Sequence, residues 1–265
     1  MTKTYLKLIL TATIICIGAY AQSQTVTLDH FFNSETKLDK SGQSLPFHYL
    51  WNDTTMTGFS LFGAAFKNNG AEELNVLFQK PTAKTLASSD VYIIVDPDHL
   101  KDNPNPNYVK PEDAVAIADW VKLGGVLLLL ANDQANADLV HFNILAEKFG
   151  FKFNNDLILH VEDDAHFEDG AININDNRIF KTSKKIFIKD ASSISITHTA
   201  QPVLKTFKGE VAMVISSYGK GTVLAVGDPW LYNEYTNGRL PKVFENNKAA
   251  DDLSRYLLKR TRTKN

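Results

Sequence analysis

The sequence predicts an α/β fold built on a parallel sheet. Three observations carry this. Short apolar runs alternate with helix-period patterns along much of the chain. Residues 91–95, Val-Tyr-Ile-Ile-Val, are apolar throughout, as a strand covered on both faces requires. Residues 111–123 carry a complete set of helix signals: Pro111 suits the first helical position, Glu112 and Asp113 suit the positive end of the dipole, and Gly124-Gly125 stops the helix.

The other elements follow in order. Residues 46–50 read as the first strand. Residues 58–67 read as a helix with Phe59, Leu61, Phe62, Ala65 and Phe66 as its apolar positions. Residues 74–78 and 91–95 are the next strands, and 126–131 is the central one. Residues 137–149 form a helix with Leu139, Phe142, Leu145, Ala146 and Phe149 on one face, closed by Gly150. From 152 to 217 the pattern changes to short β-like pieces with Asn and Asp turns, a β-rich insertion. Residues 211–216 and 222–226 form a hairpin joined at Tyr218-Gly219-Lys220-Gly221. Residues 247–259 are the closing helix. The span from 22 to 265 is long enough for one domain around one core.

The first 21 residues read as a secretory signal peptide. Lys3 and Lys7 form its positive end, residues 8–17 its apolar run, and Ala19-Tyr20-Ala21 its cleavage signal. The run is short for a membrane span. The only cysteine, Cys16, lies inside it, and Thr13-Ile14-Ile15 before it does not resemble a lipoprotein box. The expected product is a soluble periplasmic protein without a membrane anchor. Beyond residue 21 there is no cysteine, which excludes disulfides, thiolate metal sites and a cysteine nucleophile. Without Lys3 and Lys7 the 26 basic side chains face 30 acidic ones, a net charge of −4 that does not suit nucleic acid. Gly219-Lys220-Gly221-Thr222 lacks the spacing of a phosphate-binding loop.

In an open α/β sheet ligands bind outside the carboxyl ends of the strands. Four polar clusters follow the predicted strands: Trp51-Asn52-Asp53-Thr54-Thr55, Asp96-Pro97-Asp98-His99, Asn132-Asp133-Gln134, and the loop from Gly227 to Arg239. That loop gathers Asp228, Trp230, Tyr232, Asn233, Glu234, Tyr235 and Arg239. Aromatics beside hydrogen-bonding groups suit a sugar, whose ring has apolar faces and a polar rim. Structural roles stand beside these. Asp96 and Asp98 also suit a turn, Asn132 and Asp133 a helix cap, His141, Tyr232 and Tyr235 packing, and Arg239 an ion pair with Glu234 or Asp228. His160, Asp163, Asp164 and His166 match no metal motif and read as a solvated acidic turn.

Several segments together resemble one family. They are residues 57–63, Thr-Gly-Phe-Ser-Leu-Phe-Gly; 92–98, Tyr-Ile-Ile-Val-Asp-Pro-Asp; Ala118-Asp119-Trp120-Val121-Lys122 with Gly124-Gly125-Val126; Ala131-Asn132-Asp133; and 227–235, Gly-Asp-Pro-Trp-Leu-Tyr-Asn-Glu-Tyr. They resemble the glutamine-amidotransferase-like domain that accompanies unsaturated rhamnogalacturonyl hydrolases of glycoside hydrolase family 105. The resemblance implies a flavodoxin-like fold with helices on both faces of the parallel sheet. Amidotransferases of this fold carry a cysteine after the central strand. Asn132-Asp133 stands there in this chain, so amidotransfer is excluded. Free-standing forms in ulvan-degrading gene clusters are oligosaccharide dehydratases. The implied reaction removes water from the uronic acid at the non-reducing end of an anionic oligosaccharide. The 4,5-unsaturated uronyl end so formed is then the substrate of a family 105 hydrolase.

That chemistry needs a base for the proton at C5, donors for the developing charge on the carboxylate, and an acid for the leaving C4 hydroxyl. Arg239 is the candidate carboxylate clamp. His141 and Tyr232 are candidates for base and acid, in either order. Asp53, Asp98, Asn132, Asp133, Asp228, Trp230, Asn233 and Tyr235 are candidates for substrate binding, Trp230 by stacking on a sugar face and Asn132 as an added donor. No redox cofactor is required; a divalent cation on Asp96, Asp98 or Asp133 is compatible with the residues. Two other readings stay open: a non-catalytic carbohydrate-binding or accessory domain partnering a family 105 hydrolase, and simple hydrolysis with Asp133 or Glu234 as general base.

Overall fold

A computed structural model describes residues 23–261. The expected leader lies outside these residues. The core is a seven-stranded sheet formed by β1 (Gln24–Asp29), β2 (Ala71–Leu77), β3 (Val91–Val95), β4 (Val126–Leu130), β5 (Gln201–Lys205), β6 (Val211–Tyr218) and β7 (Gly221–Val226). Their order across the sheet is β5-β6-β7-β4-β3-β1-β2. The pairs β1–β2, β1–β3, β3–β4 and β4–β7 are parallel; β6 pairs antiparallel with both β7 and β5. The order 2-1-3-4 followed by a fifth parallel strand is the flavodoxin-like arrangement.

The strands are apolar on both sides because helices cover both faces. Val91, Ile93 and Val95 of β3 and Val126, Leu128 and Leu130 of β4 face one core with α1 (Ser60–Asn68) and the closing helix Asn246–Arg260. Tyr92 and Ile94, with Leu127 and Leu129, face the other core with α2 (Pro111–Lys122) and α3 (Leu139–Ala146). Burying each such Val, Leu or Ile contributes about 1.5–3 kcal/mol. Among the described residues no helix is long and apolar enough to cross a membrane.

The predicted first strand is corrected. Only Ser44–Pro46 is extended, and it pairs with Thr36–Leu38 in a small hairpin outside the main sheet. Residues 47–50 are irregular, and His48 and Tyr49 adopt left-handed backbone at φ 71° and 55°. The true first strand is β1, whose sequence Gln-Thr-Val-Thr-Leu-Asp offers only two aliphatic side chains. Its threonines are nevertheless buried, Thr27 within 2.6 Å of the Ser89 hydroxyl and the Thr25 N–H donating to Asp90 at 2.8 Å. Between α3 and β5 two short antiparallel pairs form, Phe151–Phe153 with Ile194–Ile196 and Ala171–Asn173 with Lys185–Phe187. The segments that follow, β5 and β6, belong to the main sheet.

Candidate functional site

The sheet order reverses between β1 and β3, and the carboxyl ends of strands at such a reversal are where open α/β sheets place ligands. Asp96 follows β3 directly, at a left-handed φ of 35°, and is buried. Its carboxylate accepts the Tyr49 hydroxyl at 2.7 Å, the Asn132 backbone N–H at 2.7 Å and the Asn132 side-chain amide at 3.2 Å. Three segments distant in sequence therefore meet on one carboxyl group. Burial pushes the Asp96 carboxyl up to about 6, against the pull of the Tyr49 hydroxyl and the Asn132 N–H. Burial likewise pushes the Tyr49 hydroxyl well above its usual range.

Asp228, at the end of β7, is also buried and accepts the Lys189 N–H at 2.9 Å. Burial holds its carboxyl well above the ordinary range, and nearby Asp96 and Asp190 push the same way. The preceding residue must be glycine, because a Cβ on Gly227 would lie 1.9 Å from the Ser192 carbonyl oxygen. Tyr232 is partly buried, its ring 6.1 Å from Tyr49 and 4.8 Å from Tyr235. Burial raises both of their hydroxyls, so each keeps its proton.

Other residues of the same loop hold it in place. Trp230 is fully buried with Phe180 against its ring, which removes it as a stacking platform for a sugar. Asn233 is buried; its amide donates to the carbonyls of Asp53 at 3.0 Å and Thr55 at 2.8 Å, and its oxygen accepts the Leu61 N–H at 3.0 Å. Tyr235 is buried against Phe187. Arg239 donates to Glu234 at 2.7 Å and to both oxygens of Asp164, Oδ2 at 2.6 Å. Its fork is taken up by carboxylates of the protein, and the expected pairing with Glu234 is made.

The remaining candidates are scattered along the same edge. Asp53 accepts the Thr55 N–H at 2.8 Å and two threonine hydroxyls, closing its own turn. Asp133 accepts from Ala135 and Asn136, again local. Asp98 accepts the Ser34 N–H and hydroxyl and the Asn103 amide, tying the segment after β1 to the segment after β3. His141 lies in the first turn of α3 with Nδ1 2.6 Å from Asp138 and its ring 4.2 Å from Tyr108. Its contacts lead to that loop and not to Tyr232. Of the sequence candidates, Asn132, Asp228 and Tyr232 converge on the Asp96–Tyr49 pair.

Six residues at this edge, Asp29, His30, Glu35, Lys37, His48 and Tyr49, have no counterpart among the sequence candidates. Glu35 and His48 form a pair, Oε1 to Nδ1 at 3.0 Å, both partly exposed. His30 is buried beside Phe78, with neither ring nitrogen hydrogen-bonded among the described residues, and burial lowers its proton affinity. Asp29, pushed up to about 7 by burial, accepts the Tyr92 hydroxyl and the backbone N–H groups of Phe31 and Phe32. Above the Glu35–His48 pair the Lys37 ammonium sits 4.4 Å from the Phe47 ring centroid, with no carboxylate within ion-pair distance among the described residues. Among those residues no group of three His, Cys, Asp or Glu side chains is arranged to hold a metal ion.

No described protein family and no curated protein matches this sequence. Solved structures do. The mmIFT52 N-terminal domain aligns with a TM-score of 0.64 at 15% identity, over 89% of this chain and 97% of that one. The cytoplasmic protein STM1381 from Salmonella typhimurium LT2 gives 0.57 at 15%, over 90% and 100%. A β-galactosidase from Bacillus circulans sp. alkalophilus gives 0.51 at 13%, over 89% of this chain but only 31% of the enzyme. At these identities the likeness is one of fold: the α/β architecture with its mostly parallel sheet is shared.

Proposed function

We propose that this protein is an oligosaccharide dehydratase, exported to the periplasm, that removes water from the non-reducing-end uronic acid of ulvan-type oligosaccharides. The crevice between β1 and β3 is its active site. The observation that carries the reading is the Asp96 cluster. Burial pushes the Asp96 carboxyl up to about 6; it accepts a hydrogen bond from Tyr49, whose ring centroid lies 6.1 Å from that of the partly exposed Tyr232. Groups whose surroundings push their proton affinities toward or away from neutrality mark sites of proton transfer. The reaction needs two transfers, one from C5 and one to the departing C4 hydroxyl.

Tyr232 supplies the acid. Burial keeps its hydroxyl protonated, and it is the more exposed of the two tyrosines. Asp96 and Asn132 hold Tyr49 on the opposite wall. Lys37 is the cation at the rim for the uronate, in place of Arg239. The same resemblance that suggests dehydration also suggests a partner step, hydrolysis of the unsaturated end by a family 105 enzyme.

Product mass tests the reading. The protein incubated with saturated-ended uronyl oligosaccharides is expected to yield a product lighter by one water. A product heavier by one water would instead identify a hydrolase. Unchanged mass with measurable binding would identify a binding module.

A further inference from the structure

We propose that His48, held by Glu35, is the base that removes the proton from the carbon next to the uronate carboxyl. The inference rests on the dehydratase reading and assigns a residue to its first step.

The geometry around His48 is that of a positioned ring. Nδ1 lies 3.0 Å from Glu35 Oε1, so an ionised Glu35 accepts the Nδ1 proton and leaves Nε2 with its lone pair. Both faces are covered. Phe47 stacks on one at 4.8 Å and 9°, and Tyr49 on the other at 4.3 Å and 12°. With one nitrogen tied and both faces closed, chemistry is confined to the Nε2 edge. The side chain is 27% exposed, and Nε2 is the ring nitrogen that Glu35 does not engage.

The backbone points the same way. His48 and Tyr49 are consecutive non-glycine residues in the left-handed region. Each such residue costs on the order of 1 kcal/mol or more and persists only where its surroundings over-determine it. An extended backbone would alternate its side chains and could not stack three successive rings. The stack is fixed at its lower end, where the Tyr49 hydroxyl donates to Asp96 at 2.7 Å. The strained turn thus serves to place His48 over the floor of the crevice.

The step balances without a cofactor. Nε2 takes the proton from C5. The C5–H electron pair becomes the C4=C5 double bond as the C4–O bond breaks. The hydroxyl leaves as water with the proton of Tyr232. The imidazolium then gives its proton to solvent and the phenolate regains one.

The test uses His48→Gly and His48→Asn, because glycine and asparagine accept the left-handed backbone and so spare the fold. With saturated-ended uronyl oligosaccharides, both variants are expected to lose about 100-fold or more in kcat, with KM little changed. Added imidazole is expected to restore part of the rate to His48→Gly but not to the native protein. Native formation of the unsaturated product together with undiminished kcat in both variants would overturn the base and leave the dehydratase intact. A loss that imidazole does not relieve, with a lowered melting temperature, would also overturn it. If the native protein forms no unsaturated product, the reaction and the base fall together.

Discussion

The Tyr49 hydroxyl donates to Asp96 Oδ2 over 2.7 Å and joins two residues that both hold left-handed backbone. One lies in the irregular segment after a surface hairpin, the other at the end of β3. Their bond closes the crevice floor, and the buried Asp96 carboxyl it engages titrates near 6 instead of 3.8.

Asp96 therefore ties stability to pH. The folded state holds its proton at pH values where the unfolded chain has already released it. The contribution is fully present below about pH 4 and is lost as pH rises through about 6. A tenfold change in proton affinity corresponds to about 1.4 kcal/mol, so the loss is about 2–3 kcal/mol. Asp29, pushed up to about 7, adds to it in the same direction. Asp96→Asn is expected to shrink the fall in unfolding free energy between pH 4 and 7 by about 2–3 kcal/mol, measured by urea denaturation. An unchanged pH slope would mean that Asp96 titrates normally.

Much of this arrangement is readable in the sequence, and the exceptions have physical causes. Val91–Val95 and Val126–Leu130 are apolar throughout because helices cover both faces, and that pattern identifies them directly. β1 escapes the same reading because three of its five buried residues are Thr25, Thr27 and Asp29, with the Thr27 hydroxyl bonded to Ser89 and the Thr25 N–H to Asp90. Phe47-His48-Tyr49 imitates a strand by composition, yet its rings stack on one side through left-handed backbone. That imitation makes the 51–55 turn look like the end of a strand and hides Glu35, His48 and Tyr49. The loop from Gly227 stands out by composition, but the roles of its residues do not. Which aromatic is buried depends on partners distant in sequence, such as Phe180 against Trp230.

Asn233 holds that loop to the segment before α1. Its side chain serves the carbonyls of Asp53 and Thr55 and the N–H of Leu61, while its backbone N–H donates to Gly58 at 2.8 Å. Asn233→Ala would leave the carbonyls of Asp53 and Thr55 and the Leu61 N–H, all partly buried, without this partner. The expected loss is about 2–3 kcal/mol of stability, read as a lowered melting temperature. A change below about 0.5 kcal/mol would show that the loop is held by other contacts.

Lys37 and Arg239 separate two ways of binding a uronate. Arg239 serves Glu234 and Asp164, whereas Lys37 lies over the Phe47 ring, near enough to Asp53 for its charge to be felt there but in no ion pair among the described residues. Lys37→Met is therefore expected to raise KM several-fold and to lower kcat as well, because the charge on the uronate carboxylate grows in the transition state. Arg239→Ala is expected to leave turnover nearly unchanged and to alter stability by at most about 1 kcal/mol, as partly exposed ion pairs do. Steady-state kinetics on both variants decide between them; the reverse pattern would return the clamp to Arg239.

The central claim is that the Asp96–Tyr49–Tyr232 crevice carries out dehydration, and the rate of conjugated-enoate absorbance tests it most directly. Native protein and Tyr232→Phe are compared on one saturated-ended uronyl oligosaccharide at equal folded concentration. The band is expected to grow with the native protein and about 100-fold or more slowly with the variant, while both bind the oligosaccharide. Equal rates in the two proteins, or no band from the native one, would contradict it.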